Sequence, residues 1–271
     1  MVRERIRPAA TQALVLAGGA GTRIGGVGQY LPKGLLPVSQ NETLLLRLLQ
    51  QLREAGICNV AISTSPHHQP LLEAFIQNAT RVWRDLKLNA DLTVAVYSNE
   101  AHRWGPNPAL SEAIGFFRRG QPVLLCLADI GFISNPFCRL FESERHEMTL
   151  LMGPYRETQG GVAHLEGLDV RALYYRWEEA ESLDRLDLCN WTGAALISTT
   201  VLEEFVSICR RAKKAPLEEP LNALIRSGVI VRHSGVDEFV NVNTFADLLT
   251  FQRRLATVGQ ALETRNTRCA K

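Results

Sequence analysis

A glycine-rich stretch near the start of the chain has the composition of an anion-binding loop. Segment 18–28 (GGAGTRIGGVG) directly follows the apolar run 13–17. Glycine allows a ligand to approach closely, and successive backbone amides after a buried strand form a cradle for anions. Arg23 and Lys33 add positive charge. An arginine can hold a phosphate through two hydrogen bonds, whereas a lysine acts as a point charge. The stretch therefore predicts a phosphate-binding site, with a flexible surface turn as the alternative.

The loop matches neither of the two common nucleotide-binding motifs. A P-loop requires GxxxxGK[ST], which residues 28–33 (GQYLPK) do not supply. A dinucleotide-binding fingerprint requires a helix directly after its third glycine, and Pro32 together with the glycines at 25–28 opposes one. The sequence also lacks the HExxH pattern of zinc proteases and the GxSxG pattern of hydrolases.

Three further groups of polar residues could do chemistry. Asp129 follows the apolar run 123–128, and ligands bind at the carboxyl ends of strands in α/β proteins; a cap or loop aspartate is the alternative. His67 and His68 are adjacent at the start of a predicted helix, which favours a solvated first turn over a metal site. The basic cluster 210–214 lies at a predicted helix end, where it interacts favourably with the helix dipole.

Alternating strands and helices must position these residues. The patterns predict strands at 13–17, 60–63, 92–97, 123–128, 148–152, 191–198, 229–233 and 238–242. They predict helices at 42–55, 65–78, 107–117, from 135, at 199–213 and 218–227, and from Thr244, with Asp247 in a capping-box position. This order predicts an α/β fold with a Rossmann-like, mostly parallel sheet, helices on both faces and a small inserted β-rich substrate region.

The chain shows no internal repeat and no linker rich in proline, glycine or serine. We therefore predict a flexible N-terminal extension at 1–11 and a single domain at 12–271. Segment 153–190 carries hairpin-like patterns and acidic patches, and it is predicted to be the substrate-side insertion.

Composition excludes several classes of protein. The 271 residues are 46% hydrophobic and 21% charged, with a net charge of +2, which are ordinary globular values. The small net charge favours neither a nucleic-acid partner nor a membrane surface. No apolar run approaches the ~18 residues that span a bilayer. Six cysteines form no CxxC pair, and no secretory leader is recognisable. We expect a cytoplasmic protein with reduced thiols.

The loop and its surroundings resemble the signature of the nucleotidyltransferases that make nucleotide-activated sugars and alcohols. That signature reads LAGGxGTR, then PK, then LLPV; the chain has LAGGAGTR at 16–23, PK at 32–33 and LLPV at 35–38. Weaker similarity continues through Asp129, segment 191–194 (WTGA) and segment 240–248 (VNVNTFADL). The resemblance implies a Rossmann-like fold. It also implies transfer of a nucleoside monophosphate from an NTP to a sugar 1-phosphate or similar phosphorylated small alcohol, with release of pyrophosphate.

The resemblance also implies roles for the matching residues. Arg23 would stabilise the transferring and leaving phosphates, and Lys33 would bridge the α-phosphate and the acceptor phosphate. The implied nucleotide-binding residues are Leu16, Ala17, Gly18, Gly19, Gly21, Thr22 and Asn107. The implied acceptor-binding residues are Thr192, Gly193 and Glu179. A helix cap before Pro108 is the alternative for Asn107, and an exposed acidic turn is the alternative for Glu179.

The implied cofactor is Mg²⁺, a hard cation that prefers carboxylate and phosphate oxygens. Asp129 and Asn241 would be its ligands. Many relatives have an aspartate where this chain has Asn241, and three interpretations stay open. In the first, Asn241 acts through a water; in the second, a nearby acid such as Asp237 substitutes for it; in the third, the chain is non-catalytic.

Three functions therefore remain. The first is the Mg²⁺-dependent transfer described above. The second is cytidylyl transfer to a phosphonate, a cyclitol phosphate or a cofactor precursor. The third is nucleotide binding by a non-catalytic or regulatory relative. The expected partners are an NTP and a phosphorylated small-molecule acceptor, with no nucleic acid and no membrane, and with homo-oligomer formation left open.

Overall fold

The computed structural model describes residues 6–19, 21–85, 91–118, 120–141, 147–157 and 160–269, with the side chains of 29, 84, 85, 116 and 260–269 excepted. The strands are β1 (Gln12–Leu16), β2 (Asn59–Thr64), β3 (Thr93–Ser98), β4 (Val123–Leu127), β5 (Ile130–Phe132), β6 (Met148–Pro154), β7 (Val162–Glu166), β8 (Asp169–Tyr174), β9 (Leu188–Ile197), β10 (Val231–Gly235) and β11 (Phe239–Asn241). The α-helices are α1 (Val27–Tyr30), α2 (Leu44–Glu54), α3 (Gln69–Asp85), α4 (Pro106–Ala113), α5 (Phe137–Leu140), α6 (Thr199–Arg211), α7 (Glu218–Arg226) and α8 (Phe245–Cys269).

Most of these strands form one sheet with parallel strands in its first half. In the described part of the chain the order is β3-β2-β1-β4-β9-β6-β10-β8-β7, nine strands in all. β3, β2, β1 and β4 are parallel neighbours, and β6 is parallel to β10. β9 is antiparallel to β4, β6 and β7, and β8 is antiparallel to β7 and β10. The predicted α/β architecture is confirmed.

The centre of the sheet explains why β1 is apolar without alternation from Ala13 onward. Val15 is paired with Ile62 of β2 on one side and with Cys126 of β4 on the other. Side chains of successive strand residues point to opposite faces, so both faces of β1 must be covered. Val15 lies in an apolar cluster with α2 and α3, whereas Leu14 lies in a second cluster with α4, α6 and α7. Helices therefore cover both faces, as predicted.

A small antiparallel pair sits beside the end of β4 and completes the frame of the site. β5 follows β4 after a two-residue turn and pairs with β11, with Ile130 opposite Asn241. The amide of Val242 donates to the carbonyl oxygen of Asp129 at 2.8 Å. This pairing joins two segments that are more than a hundred residues apart in the sequence.

The local predictions hold at several elements and fail at two helix starts. The β7–β8 hairpin lies within the predicted insertion. The turn at 66–68 delays α3 to Gln69, and His68 is only 4% exposed, so its predicted place in a solvated first turn is wrong. α4 begins at Pro106, one residue before the predicted start.

The predicted N-terminal extension is described from residue 6 onward, and residues 1–5 lie outside the described residues. Pro8–Ala10 form a short 3-10 helix, and Thr11 is buried.

None of the described helices has the length and apolar character needed to cross a bilayer.

Candidate active site

A cleft of about 950 Å³ opens where β1 and β4 end. Its described walls come from the glycine-rich loop, the turn after β4, the segments that follow β8 and precede α7, the middle of β9 and the end of β11. It brings together most residues that the sequence predicted: Leu16, Ala17, Gly18, Gly19, Gly21, Thr22, Arg23, Lys33, Asp129, Thr192, Gly193 and Asn241. Among the described residues, Asn107 and Glu179 are predicted site residues that do not line it.

The glycine-rich loop is held in shape by close backbone approaches. Gly21 has φ of 63°, and a Cβ placed at Gly28 would lie 2.1 Å from the carbonyl oxygen of Gly21. Neither position has room for a side chain, since real Cβ atoms do not approach a backbone oxygen so closely. The loop therefore folds back on itself between these two glycines, and its surface faces the cleft. Ala20 lies outside the described residues.

Leu16 and Ala17 contribute surface to the cleft. Their main-chain groups form hydrogen bonds within the sheet. The amide of Ala17 donates to the carbonyl of Ser63 at 2.8 Å, and the carbonyl of Leu16 accepts from the amide of Ala128 at 3.0 Å. The Thr64 hydroxyl donates to the carbonyl of Ala17 at 3.2 Å. These bonds fix the floor from which the loop departs.

Arg23 is in a short 3-10 helix, Thr22–Ile24, inside the loop. Ile24 is 2% exposed and anchors this turn in a small apolar cluster, while Arg23 is exposed on the cleft wall. A guanidinium held this way can reach the phosphate groups of a bound ligand through two hydrogen bonds.

Lys33 lies at the centre of the polar contacts. Its ammonium donates to Asp129 Oδ2 at 2.8 Å and to Asn243 Oδ1 at 3.0 Å. The Lys33 side chain is 11% exposed and that of Asp129 is 26% exposed. Both charges are therefore partly withdrawn from water, where their interaction is stronger than on the surface.

Asn243 was not predicted as a site residue, although the helix cap beside it, at Thr244, was predicted. Asp247 Oδ2 accepts from the amides of Asn243 at 3.0 Å and Thr244 at 2.7 Å. The Asp247 amide in turn donates to the Thr244 hydroxyl at 3.2 Å. This confirms the predicted capping box at the start of α8, and the same cap fixes the backbone of Asn243 against Lys33.

Asp129 and Asn241 are a plausible pair of metal ligands by their chemistry. The β5–β11 pairing sets Asn241 opposite Ile130, the residue after Asp129, and both Asp129 and Asn241 line the cleft. Within the described residues the Oδ1 atom of Asn241 is buried with no hydrogen-bond partner. Buried polar oxygens normally have one, so this atom is open to a bound ligand. No cluster of three His, Cys, Asp or Glu residues that could enclose a metal occurs in the described ranges. Mg²⁺ is commonly held by one or two carboxylates together with substrate phosphates, so these residues fit such a partial site.

Asp237, the other acid considered as a metal ligand, is not available for that role. It forms an ion pair with Arg139 at 3.0 Å, and its side chain is 68% exposed. Asp237 is not one of the described residues that line the cleft.

Thr192 and Gly193 lie in the middle of β9, on the cleft floor. The Thr192 hydroxyl donates to the carbonyl of Leu151 at 2.9 Å, so it supports the sheet. Gly193 has φ of 78°, and a Cβ there would lie 2.5 Å from a methyl group of Leu127. Gly193 thus keeps the floor open beside the end of β4.

Asn107 is placed away from the cleft, which corrects its predicted role in nucleotide binding. It is completely buried within α4, and its amide donates to the carbonyls of Ala212 at 3.1 Å and Ala215 at 2.8 Å. Its side chain therefore ties α4 to the turn before α7. It is not a helix cap either, because Gly105 occupies that position.

The acidic turn that follows β8 is exposed, as the alternative interpretation proposed. Glu178 and Glu179 belong to the 3-10 helix Trp177–Ala180 and are both exposed. Glu178 lines the cleft, whereas Glu179 does not. Sequence reasoning missed a third acid, Glu218, which lines the cleft and is 8% exposed.

His102 is a further cleft residue that the sequence did not indicate. Its Nε2 lies 3.0 Å from the Ser63 hydroxyl, which also accepts from Asn99 Nδ2 at 3.1 Å. A Cβ at Gly18 would overlap the His102 ring at 2.1 Å, so the glycine and the ring are packed together. Burial lowers the pKa of His102 to about 4, and the ring is neutral near pH 7.

Comparisons with known proteins identify a matching family model and solved structures of similar fold. A family model for the MobA-like NTP transferase domain matches residues 13–190. The chain is similar to a protein assigned as a glucose-1-phosphate thymidylyltransferase from Bacillus anthracis, with a TM-score of 0.73 and 17% identity over 91% of this chain and 94% of that one. It is also similar to the inositol-1-phosphate CTP transferase from T. maritima, with a TM-score of 0.70 and 15% identity over 93% and 97%. A UDP-glucose pyrophosphorylase complexed with UDP-glucose gives a TM-score of 0.72 and 15% identity over 91% and 98%.

Proposed function

This chain belongs to the MobA-like NTP transferase family, and we propose that it joins a nucleoside monophosphate to a sugar 1-phosphate or a similar phosphorylated small alcohol. The observation that carries the proposal is the convergence of Lys33, Asp129 and Asn243 in a cleft walled by the glycine-rich loop. At the glycine-rich loop the cleft offers backbone amides and the cations Arg23 and Lys33 to phosphate groups.

The proposed reaction is an in-line displacement at the α-phosphorus of the NTP. An oxygen of the acceptor phosphate forms a bond to the α-phosphorus while the bond from that atom to the bridging oxygen of the β-phosphate breaks. Pyrophosphate leaves with the electron pair of the broken bond. Reactions of this kind need positioning and charge stabilisation more than covalent participation by the protein.

We assign the two cations to different stages of that displacement. Arg23, exposed on the loop, holds the leaving phosphates. Lys33, supported by Asp129 and Asn243, orients the α-phosphate and the acceptor phosphate. Loss of one preorganised donor from such a site typically lowers the rate by about a hundredfold or more.

Asp129 and Asn241 are the residues that would hold Mg²⁺ in this proposal. When bound, the ion would neutralise phosphate charge during the displacement. The Oδ1 of Asn241 is buried and has no hydrogen-bond partner among the described residues, which supports this assignment, because an amide oxygen can coordinate Mg²⁺. Asn241 therefore does not by itself favour a non-catalytic relative.

A matrix of substrates tests the proposal. Each of the five common NTPs is incubated with glucose 1-phosphate, inositol 1-phosphate or 2-aminoethylphosphonate, with and without Mg²⁺, and pyrophosphate is measured. The inositol and phosphonate columns test the cytidylyl-transfer alternative. We expect one NTP and one acceptor to give turnover that requires Mg²⁺. Arg23→Ala and Lys33→Ala should abolish turnover, whereas Arg226→Ala, an exposed change on α7, should not. Nucleotide binding without turnover across the whole matrix would favour the non-catalytic alternative.

A further inference from the structure

Arg47 is a partly buried cation on α2 that the proposed reaction leaves unassigned. Its side chain is 21% exposed, and it is not one of the described residues that line the cleft. Its Nε atom donates to the carbonyl of Phe132 at 2.9 Å, and its Nη2 atom donates to the carbonyl of Ile133 at 2.6 Å. Two successive carbonyls at the end of β5 therefore face one guanidinium, whose rigid fork of donors a flexible ammonium group cannot reproduce.

Further polar contacts surround this guanidinium. Gln51, four residues after Arg47 on the same helix, is 5% exposed and donates to the same Phe132 carbonyl at 3.2 Å. The Asn135 amide donates to the Gln51 carbonyl at 2.7 Å. Glu42 Oε2 accepts from Arg47 Nη1 at 3.2 Å and balances its charge. The end of β5 is thus held to α2 by directional bonds as well as by apolar packing.

The start of α2 is joined equally closely to the segment that carries Lys33. The amide of Leu44 donates to the carbonyl of Leu36 at 3.1 Å. The amide of Val38 donates to the carbonyl of Glu42 at 2.8 Å. A shift of α2 would therefore carry the Lys33 segment with it.

β5 carries the other side of the polar contacts in the cleft. It begins at Ile130, directly after Asp129, and its pairing with β11 sets Ile130 opposite Asn241. The amide of Val242 donates to the carbonyl of Asp129 at 2.8 Å. A displacement of β5 would therefore move Asp129 and β11 together.

Lys33 connects these two sides inside the cleft, and Arg47 connects them outside it. The Lys33 ammonium donates to Asp129 and Asn243. A phosphate group bound by Lys33 would compete for these donors, because an ammonium group has three N–H bonds in all. The bonds from Arg47 to the two β5 carbonyls do not involve Lys33. They would keep the two sides in register while Lys33 exchanges partners.

We infer that Arg47 is a positioning residue that, from α2, holds β5 and with it Asp129 at the distance from Lys33 that the displacement requires. This inference rests on the proposed function, because it assigns Arg47 a role in that reaction. Arg47 acts through the residues that it places and touches no reacting atom. A misplacement of about 1 Å caused by a change far from the chemistry can lower a rate by about a hundredfold.

Steady-state kinetics of Arg47→Met separate positioning from a purely structural role. Methionine keeps an unbranched side chain and removes all the donors. With the NTP and acceptor found in the substrate matrix, and well below the melting temperature, we expect kcat to fall about tenfold or more while KM for the NTP stays within about twofold. Arg47→Lys should recover part of the lost kcat, because an ammonium group can keep one of the two carbonyl bonds.

Two variants control for effects that are not specific to Arg47. Arg53→Met removes an arginine from the same helix whose partner is Asp91 instead of β5. Ile76→Val lowers stability through a buried position on α3. Both should keep the wild-type kcat. If Arg47→Met does not fold, Arg47→Lys is compared with the same controls.

Exchange of the Val242 amide with solvent tests the inference without turnover, since this amide reports the contact between β11 and Asp129. Lys33→Ala removes the connection inside the cleft, so Arg47 should then carry more of the load. We expect Arg47→Met to accelerate the exchange severalfold more in the Lys33→Ala protein than in wild type. The amides of β2 serve as the internal reference.

A kcat of the Arg47 variants equal to that of Ile76→Val would overturn the inference. Equal acceleration of Val242 exchange in the two backgrounds would overturn it as well. If the wild-type protein gives no turnover with any NTP and acceptor, the proposed function fails, and the exchange measurement alone then decides whether Arg47 holds β5 in register with Lys33.

Discussion

Asn243→Ala tests whether Lys33 is held in place by its second partner. The substitution removes the acceptor 3.0 Å from the Lys33 ammonium and leaves Asp129 at 2.8 Å as the remaining anchor. A hydrogen bond to a charged group contributes roughly 1.5–3 kcal/mol. If that energy is expressed in the transition state, kcat should fall by about ten- to a hundredfold, because each 1.36 kcal/mol corresponds to a factor of ten.

The assay is pyrophosphate release at saturating substrates, with thermal unfolding measured in parallel. The capping box at α8 uses the backbone amide of Asn243, which the variant keeps. The melting temperature should therefore change little. Asn78→Ala is a matched control, since Asn78 is exposed on α3 and its Oδ1 accepts from Arg81. An unchanged kcat in Asn243→Ala, with Lys33→Ala inactive, would refute the positioning role of Asn243.

Three further perturbations follow from the same geometry. His102 has a folded pKa of about 4 against 6.5 unfolded, so its contribution to stability is present above pH 6.5 and is lost as the pH falls toward 4. In urea denaturation, wild type should lose about 3 kcal/mol more than His102→Gln between pH 7 and pH 4, and parallel losses would contradict the shift. Gly193→Ala should destabilise the protein by roughly 1–3 kcal/mol, because the new Cβ would overlap Leu127; an unchanged melting temperature would argue against the close approach. Lys33→Ala should abolish transfer but cost only about 1 kcal/mol of stability, because Asp129 remains partly solvated, and a loss of several kcal/mol would mark Lys33 as structural.

The sequence predicted the parts of the site that depend on local pattern. β4, and β1 from Ala13 onward, are apolar because both of their faces are covered, and this pattern placed the loop and Asp129 at one edge of the sheet. The capping box at Thr244 and Asp247 is equally local, since its partners are three residues apart. These features carried the predicted fold and most of the residues that line the cleft.

The residues that were missed depend on contacts between distant segments. Asn243 meets Lys33 only because β11 pairs with β5, and the two residues are 210 positions apart. Glu218 looks like an ordinary acid in the first turn of a helix until the backbone at Gly161 is placed beneath it. No periodicity in the sequence reports either approach.

Asn107 shows the opposite error, in which a local signal was overinterpreted. Its position before Pro108 suggested either a helix cap or a base contact. Pro106 already provides the helix start, so Asn107 falls inside α4 and its amide turns toward the carbonyls of Ala212 and Ala215. Both acceptors of its Nδ2 group lie in another segment of the fold, which the local sequence pattern does not report.

Transfer of labelled phosphate is the most direct test of the central claim. The NTP selected in the substrate matrix is prepared with the label at the α-phosphate in one sample and at the γ-phosphate in another. We expect the α-label to enter a phosphatase-resistant product only when a phosphorylated acceptor is present, and the γ-label to leave in pyrophosphate. Release of the γ-label as inorganic phosphate, or α-label transfer that does not depend on the acceptor, would contradict the proposed nucleotidyl transfer.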